Sequence, residues 1–253
     1  MSLEHRLAAI ADTLARLNTV EPRTVDGATG FWKRRAAHAG LVIAAGAPYL
    51  ALSDSWIEMD ARPARWRAWE VDCARAIASD DSAARILDDG VWVRAIRGCP
   101  ARQALSDADP IFVMRGAGSA LARAHATGVT HGDPHLGNII VDDDGGGCLI
   151  DFETRHHAAL SEAQRRGDDI ATALMDLVGR GPDDALERCA RAFVDGYASV
   201  VGTDAARAAL AVTSTRLVPR TGLPGVLLAS RTNRMAPAAR DARLARVRDV
   251  IAT

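Results

Sequence analysis

Lysine is nearly missing from this sequence: of 31 basic residues, 30 are Arg and Lys33 stands alone. Arginine therefore serves wherever a generic positive charge is enough. A solitary lysine points to a place that needs a compact ammonium on a flexible stem. Net charge is missing as well, the formal balance being −1 at pH 7, so electrostatics give no reason to expect a nucleic-acid partner. Cysteine is sparse. Cys73, Cys99, Cys148 and Cys189 lie far apart without a C-x-x-C pair, which excludes a disulfide framework and speaks against structural zinc. Long apolar runs are absent too. The longest, AGLVIAAGAPYLAL, has 14 residues with Pro48 among them, short of the roughly 20 that span a bilayer. The opening MSLEHRLAAIADTLARLNTV carries Glu4, Arg6 and Asp12 and lacks the form of a signal peptide. A cytoplasmic location is the expectation.

What is present divides into two halves. Leu3, Leu7, Ile10, Leu14 and Leu17 recur at helical spacing. VEPRTVDGATGFWKRR then reads as two strands joined by a Gly turn, with Lys33 near the end of the second. The Ala-rich stretch that follows predicts a helix stopping at Pro48. A helix over Arg62–Ile77 starts with Pro63 in its first turn and puts Trp66, Glu70, Cys73 and Ile77 on one stripe. ARILDDGVWVRAIRG reads as two strands around an Asp-Asp-Gly turn. PIFVMRGAGSALARAHATG is a helix closed by Gly128. The strands NIIV and CLID flank the turn DDDGGG, and everything beyond about Asp168 is helical in pattern. No internal repeat or long linker occurs. The expected fold class is α+β.

Residues 130–153, THGDPHLGNIIVDDDGGGCLIDFE, hold most of the chemistry. Asn138 follows Asp133 by five positions, and Asp151 closes a strand and is followed by Phe152. Phosphoryl transfer requires such a set: a carboxylate to orient an attacking hydroxyl and accept its proton, and hard oxygen ligands for Mg²⁺ on nucleotide phosphates. HGDPHLGN…LIDFE resembles the catalytic and metal motifs of the protein-kinase-like superfamily, in its atypical bacterial branches. These are the aminoglycoside and choline phosphotransferases, RIO-type kinases and lipopolysaccharide core kinases. Motif-level likeness covers about residues 111–178 and is weak over the N-terminal third.

The resemblance implies a two-lobed protein-kinase-like fold. Residues 1–97 form an N-lobe with a reduced sheet, and residues 98–253 a mostly helical C-lobe. Asp133 becomes the catalytic base, Asn138 and Asp151 the Mg²⁺ ligands, and His135 a contact for the transferred phosphoryl. His131 packs under the loop. Asp168 or Asp169 braces it. Lys33 takes the place of the phosphate-binding lysine and Glu70 that of its helix partner, so that ATP and Mg²⁺ are the implied cofactors. The activity implied is transfer of the γ-phosphoryl group to a hydroxyl of a lipopolysaccharide-type sugar or a small molecule, with peripheral contact at the inner membrane. A RIO-like protein kinase and a nucleotide-binding pseudokinase regulating a partner are the alternatives. The acceptor and the oligomeric state stay open.

The chain also departs from that pattern. Gly27 and Gly30 are the only glycines ahead of Lys33, which predicts a reduced or absent phosphate-covering loop. The 37 residues from Lys33 to Glu70 imply an inserted helix around 34–47, and Glu153 stands where the D-F-G motif has its glycine. Competing readings attach to several residues. His131, His135, His156 and His157 with Asp133 form a potential metal-hydrolase cluster, DDDGGG a polar turn, and Glu70 a partner for Arg67. The pair His156–His157 reads as ordinary surface residues, and Trp56, Trp66, Trp69 and Trp92 as N-lobe core.

Overall fold

A computed structural model describes residues 17–52, 55–217 and 235–252. The helix expected between Leu3 and Leu17 falls almost wholly outside them. The fold is α+β: a small antiparallel sheet with helices in the N-terminal part, mostly helix in the rest. Two compact units divide after Ala95. Among the described residues no helix is long and apolar enough to cross a membrane.

In the first unit, β1 (Asn18–Val25) and β2 (Ala28–Arg35) form a hairpin closed by Asp26 and Gly27, both at positive φ (49° and 78°). A two-residue hairpin turn favours that hand because its twist matches the flanking strands. β4 (Ala84–Leu87) and β5 (Gly90–Arg94) make a second hairpin, and the sheet order is β1-β2-β5-β4, antiparallel throughout. Alternation sends Phe31, Lys33 and Val91 to one face, Trp32 and Trp92 to the other. On the tryptophan face each indole lies over a glycine of the neighbouring strand. A Cβ on Gly30 would sit 2.5 Å from the Trp92 ring, and one on Gly90 2.6 Å from Trp32 Nε1. Gly30 is thus required by Trp92, which accounts for a glycine three residues before Lys33 without a phosphate loop.

Helix α1 (Ala39–Leu52) and strand β3 (Ile57–Met59) precede helix α2 (Pro63–Ala78). α1 runs through Pro48, against the expected stop, and begins five residues later than the insertion expected at 34, because β2 continues to Arg35. A proline removes one N–H bond, and the helix continues for four residues beyond it. α2 buries Trp66, Glu70, Val71 and Cys73. Trp66 and Val71 pack with Ala84 and Val91 as the core of this unit. Trp66 and Trp92 are core; Trp56 and Trp69 are half-buried.

The second unit opens with β6 (Cys99–Pro100) and the short helix α3 (Ala101–Asp107), then α4 (Pro110–Ala126), capped by Asp109. α4 crosses α6 (Leu186–Val201) at glycines on both helices: a Cβ on Gly118 would lie 2.0 Å from the Phe193 carbonyl, and one on Gly196 2.2 Å from that of Arg115. β7 (Ile139–Val141) pairs with β6 and with β8 (Gly147–Leu149), and β9 (Thr154–His156) follows. Helix α5 (Glu162–Arg180) starts behind a capping box of Ser161 and Gln164. It begins six residues before Asp168, where the sequence pattern had put its start. Helices α7 (Thr203–Arg216) and α8 (Pro237–Ile251) complete the unit.

Candidate active site

In the first unit the lone lysine meets a carboxylate. Lys33 Nζ lies 3.2 and 3.3 Å from the two Glu70 oxygens, 5.7 Å from the centre of the Trp66 ring. Both residues are buried, 7% and 2% exposed. β2 presents Lys33 on the face covered by α2, and the helical stripe of Trp66 and Glu70 brings the carboxylate to it. Arg67 instead donates to the Asp89 carbonyl, so the local Arg67–Glu70 alternative is not formed. Val20 is the cross-strand partner of Lys33 and Phe31 its same-face neighbour; both are exposed apolar residues.

In the second unit, residues 130–138 form a loop tied at both ends to α5. Asp169 accepts from the backbone N–H of His131 at 2.8 Å and of Gly132 at 2.7 Å. Asp176, two helical turns further along, accepts from the N–H of Leu136 at 3.1 Å. The choice between Asp168 and Asp169 is thereby resolved: Asp168 receives Arg216 at 2.8 Å and faces His156. His131 is fully buried against Phe152, donates from Nε2 to the Ile150 carbonyl and accepts the Asp133 N–H at Nδ1. That pattern fixes a neutral ring.

Asp133, Asn138 and Asp151 belong to one hydrogen-bonded frame. Asn138 Nδ2 donates to the Asp133 carbonyl at 3.0 Å, and the Asn138 carbonyl accepts the Ile150 N–H at 3.0 Å, one residue before Asp151. Asp151 takes φ 73°, a left-handed backbone that costs a non-glycine residue on the order of 1–2 kcal/mol. With Nδ2 committed to a carbonyl, Asn138 has its amide oxygen to offer a ligand. One amide oxygen and one carboxylate are the hard donors that suit Mg²⁺, an ion that keeps waters and substrate phosphates as its other ligands. Among the described residues, no three His, Cys, Asp or Glu side chains gather to hold a metal by themselves. The hydrolase alternative has no cluster behind it.

His135 is anchored rather than free-standing. Its Nδ1 accepts from the Gly137 N–H and from Arg102 of α3, both at 3.0 Å, and Arg102 also reaches Asp176 at 3.3 Å. The ring proton therefore sits on Nε2, which makes His135 a neutral hydrogen-bond donor.

Behind the loop lies a buried cluster centred on Asp169. His125 of α4 points Nε2 at Asp169 (3.0 Å) and takes the Tyr197 hydroxyl at Nδ1 (2.7 Å). Burial holds His125 below the usual imidazole range despite Asp169. Burial opposes ionisation of Asp169, yet His156 and His125 prevail and bring its carboxyl to about 2. His156 is the correction the structure makes to the sequence. It is 6% exposed, not a surface residue, because alternation in β9 turns Thr154 and His156 inward. Asp176, Arg102, His125 and Tyr197 were not singled out from sequence. Only Asp176 left a signal, seven residues after Asp169 on the same helix face.

The family model of APH, the phosphotransferase enzyme family, matches residues 2–210 of the chain. A relative from Methanoculleus marisnigri bears the name "Probable bifunctional tRNA threonylcarbamoyladenosine biosynthesis protein" and is 38% identical over 88 residues. That stretch is 34% of this chain and 16% of the relative's own length, so the chain spans about a sixth of it.

Proposed function

The chain belongs to the APH phosphotransferase enzyme family, and from that premise we propose that it moves the γ-phosphoryl group of Mg·ATP to a hydroxyl of a sugar or other small molecule. The observation that carries this reading is the Asn138 frame, which ties the backbone of Asp133 to the strand end that leads into Asp151. Asp133 orients the acceptor hydroxyl and takes its proton while the new O–P bond forms and the bond to ADP breaks. Asn138 and Asp151 would hold Mg²⁺, and the chemistry that ion would supply is neutralisation of phosphate charge. His135 donates from Nε2 to the phosphoryl oxygens. Lys33, held by Glu70, donates to the α- and β-phosphates, and the exposed Phe31 and Val20 on its face offer a base an apolar surface.

A small acceptor is favoured by the short path after the metal position. Residues 152–161 alone separate Asp151 from α5, too few for a platform that docks a peptide. The test is transfer from γ-labelled ATP to delipidated lipopolysaccharide core oligosaccharide, small alcohols and casein-type proteins, with Asp133→Asn as control. Label on a saccharide or small alcohol, absent with Asp133→Asn, supports the proposal. Strong labelling of generic proteins and none of the small acceptors reverses it, and Mg·ATP binding without turnover on any acceptor points to a pseudokinase.

A second reading takes support from the 88 residues shared with a protein named for tRNA threonylcarbamoyladenosine biosynthesis. On it, the phosphotransferase serves tRNA modification. Stimulation of phosphate release by tRNA would favour it over a saccharide acceptor.

A further inference from the structure

His156 lies five residues beyond Asp151, and the phosphoryl-transfer steps above leave it without a task. Both of its ring nitrogens face oxygen. Nε2 is 3.3 Å from Asp168 Oδ2 and 3.8 Å from Asp169 Oδ1, and Nδ1 is 3.1 Å from the Thr130 hydroxyl. The Asp169 oxygen nearest His156 is the one that accepts the Gly132 N–H, one residue before Asp133. We propose that His156 is a positioning residue for phosphoryl transfer: as the imidazolium it holds Asp169, and through Asp169 the backbone that presents Asp133. The catalytic part of this rests on the phosphotransfer reading above.

The charges around the ring lead to the same place. Asp168 and Asp169 are adjacent buried carboxylates on α5. Arg216 of α7 neutralises Asp168. Among the described residues, the ion-pair partners of Asp169 are His125 and His156, and His125 is held neutral by burial and by accepting the Tyr197 hydroxyl. A second buried negative charge thus depends on His156 for its counter-ion, and an uncompensated buried charge is costly. Burial by itself pulls His156 down, but Asp169 and Asp168 outweigh it, with Arg165 opposing, and the ring ends above its ordinary value. The other groups facing it are Thr130 and His131 of the loop and, along its own strand, Arg155 and His157.

The direction of the pH effect follows. A raised imidazole pKa contributes stability that is complete below the ordinary histidine value of about 6.5. That contribution is lost as pH rises through the elevated value. Each unit by which the pKa is raised is about a tenfold preference of the folded surroundings, Asp169 and Asp168 together, for the charged ring over the neutral one. An alkaline decline in turnover therefore belongs to His156.

The experiment is an NMR titration of the whole chain between about pH 5.5 and 9, following the His156 ring and the Gly132 amide, in wild type and in His156→Gln. The expected result is a Gly132 resonance that moves with the midpoint of the His156 ring in wild type and stays still in His156→Gln. Phosphate release from Mg·ATP, measured over the same range, should lose its alkaline limb in His156→Gln and stay near the wild type's high-pH level. A Gly132 amide that ignores the His156 titration overturns the proposal, as does an alkaline limb unchanged in the variant. If His156→Gln does not fold, the wild-type titration decides alone. Absence of turnover at every pH would count against the phosphotransfer reading, and the amide titration would still decide whether His156 holds the loop.

Discussion

Glu70 and Asp169 are both buried carboxylates on the inner face of a helix, 2% and 0% exposed, yet they answer to different partners. Glu70 meets one ammonium, Lys33. Asp169 receives two backbone N–H groups and two imidazoles. A carboxylate that pairs with one side chain can be removed together with it, leaving an apolar contact. A carboxylate that holds backbone cannot, because the amides stay behind and buried N–H groups need acceptors. The first unit thus carries a detachable ion pair and the second a fixture of the fold.

The largest effect should come from Asp169→Ala. It orphans the N–H groups of His131 and Gly132 and leaves His156 beside a single carboxylate, at a cost of about 3–5 kcal/mol in urea denaturation. A companion His156→Leu change should not restore stability, since the amides remain. The same carboxylate sets an acid limit. Its pKa falls from an ordinary 3.8 to about 2 on folding, so its contribution is present above about pH 4 and disappears as pH falls through about 2. In Asp169→Asn that acid-side dependence should be smaller. A loss below about 1 kcal/mol in Asp169→Ala would erase the distinction between the two carboxylates.

Next in size is the Lys33–Glu70 cycle. Glu70→Ala takes the Glu70 carboxylate away from a buried ammonium and should cost about 3 kcal/mol, whereas Lys33→Met with Glu70→Leu should come within about 1 kcal/mol of wild type. Turnover should separate from stability. Lys33→Arg keeps the charge but replaces a compact ammonium by a planar fork, and on the role proposed for Lys33 at the nucleotide this should cost about 10²–10³-fold in rate, as misplacing one transition-state donor does. Glu70→Ala should reproduce much of that loss, and the Lys33→Arg, Glu70→Ala double variant should be hardly slower than the slower single. Multiplicative losses would show that the two side chains act separately on the nucleotide.

The two carboxylates were also unequally legible. Asp133, Asn138 and Asp151 stand in a short stretch whose spacing names a chemistry, and Lys33 is marked by its solitude among arginines. Asp168 and Asp169 are adjacent on a helix, and the choice between them is a matter of helix phase, about 100° per residue. No sequence rule settles that phase while the start of α5 is taken six residues late. His156 was harder still. A three-residue strand offers too little alternation to show which side is inward, and two consecutive histidines look like solvent-facing polarity. Gly30 was legible as a needed glycine, but its reason, the Trp92 indole 62 residues further along the chain, is visible only once β2 and β5 are paired.

The smallest effect tests the premise that made Lys33 conspicuous. On the tryptophan face of the first unit, Arg85 stacks over Trp92 at 5.3 Å and pairs with Asp26 at 2.7 Å, the two side chains 35% and 76% exposed. An exposed pair of this kind contributes about 0.2–1 kcal/mol, and a lysine supplies the same charge to carboxylate and ring. Arg85→Lys should therefore change stability by no more than about 0.5 kcal/mol in urea denaturation, with the difference shrinking further at high salt. The contrast with Lys33→Arg is the point of the measurement. If arginine is this chain's generic cation, replacing one by lysine is silent where the charge meets solvent, and replacing the one lysine by arginine is not silent where the charge is buried. A cost above about 1 kcal/mol for Arg85→Lys would mean that guanidinium geometry matters even on the open face. The rarity of lysine would then say nothing particular about Lys33, and the role proposed for it would rest on the Glu70 contact alone.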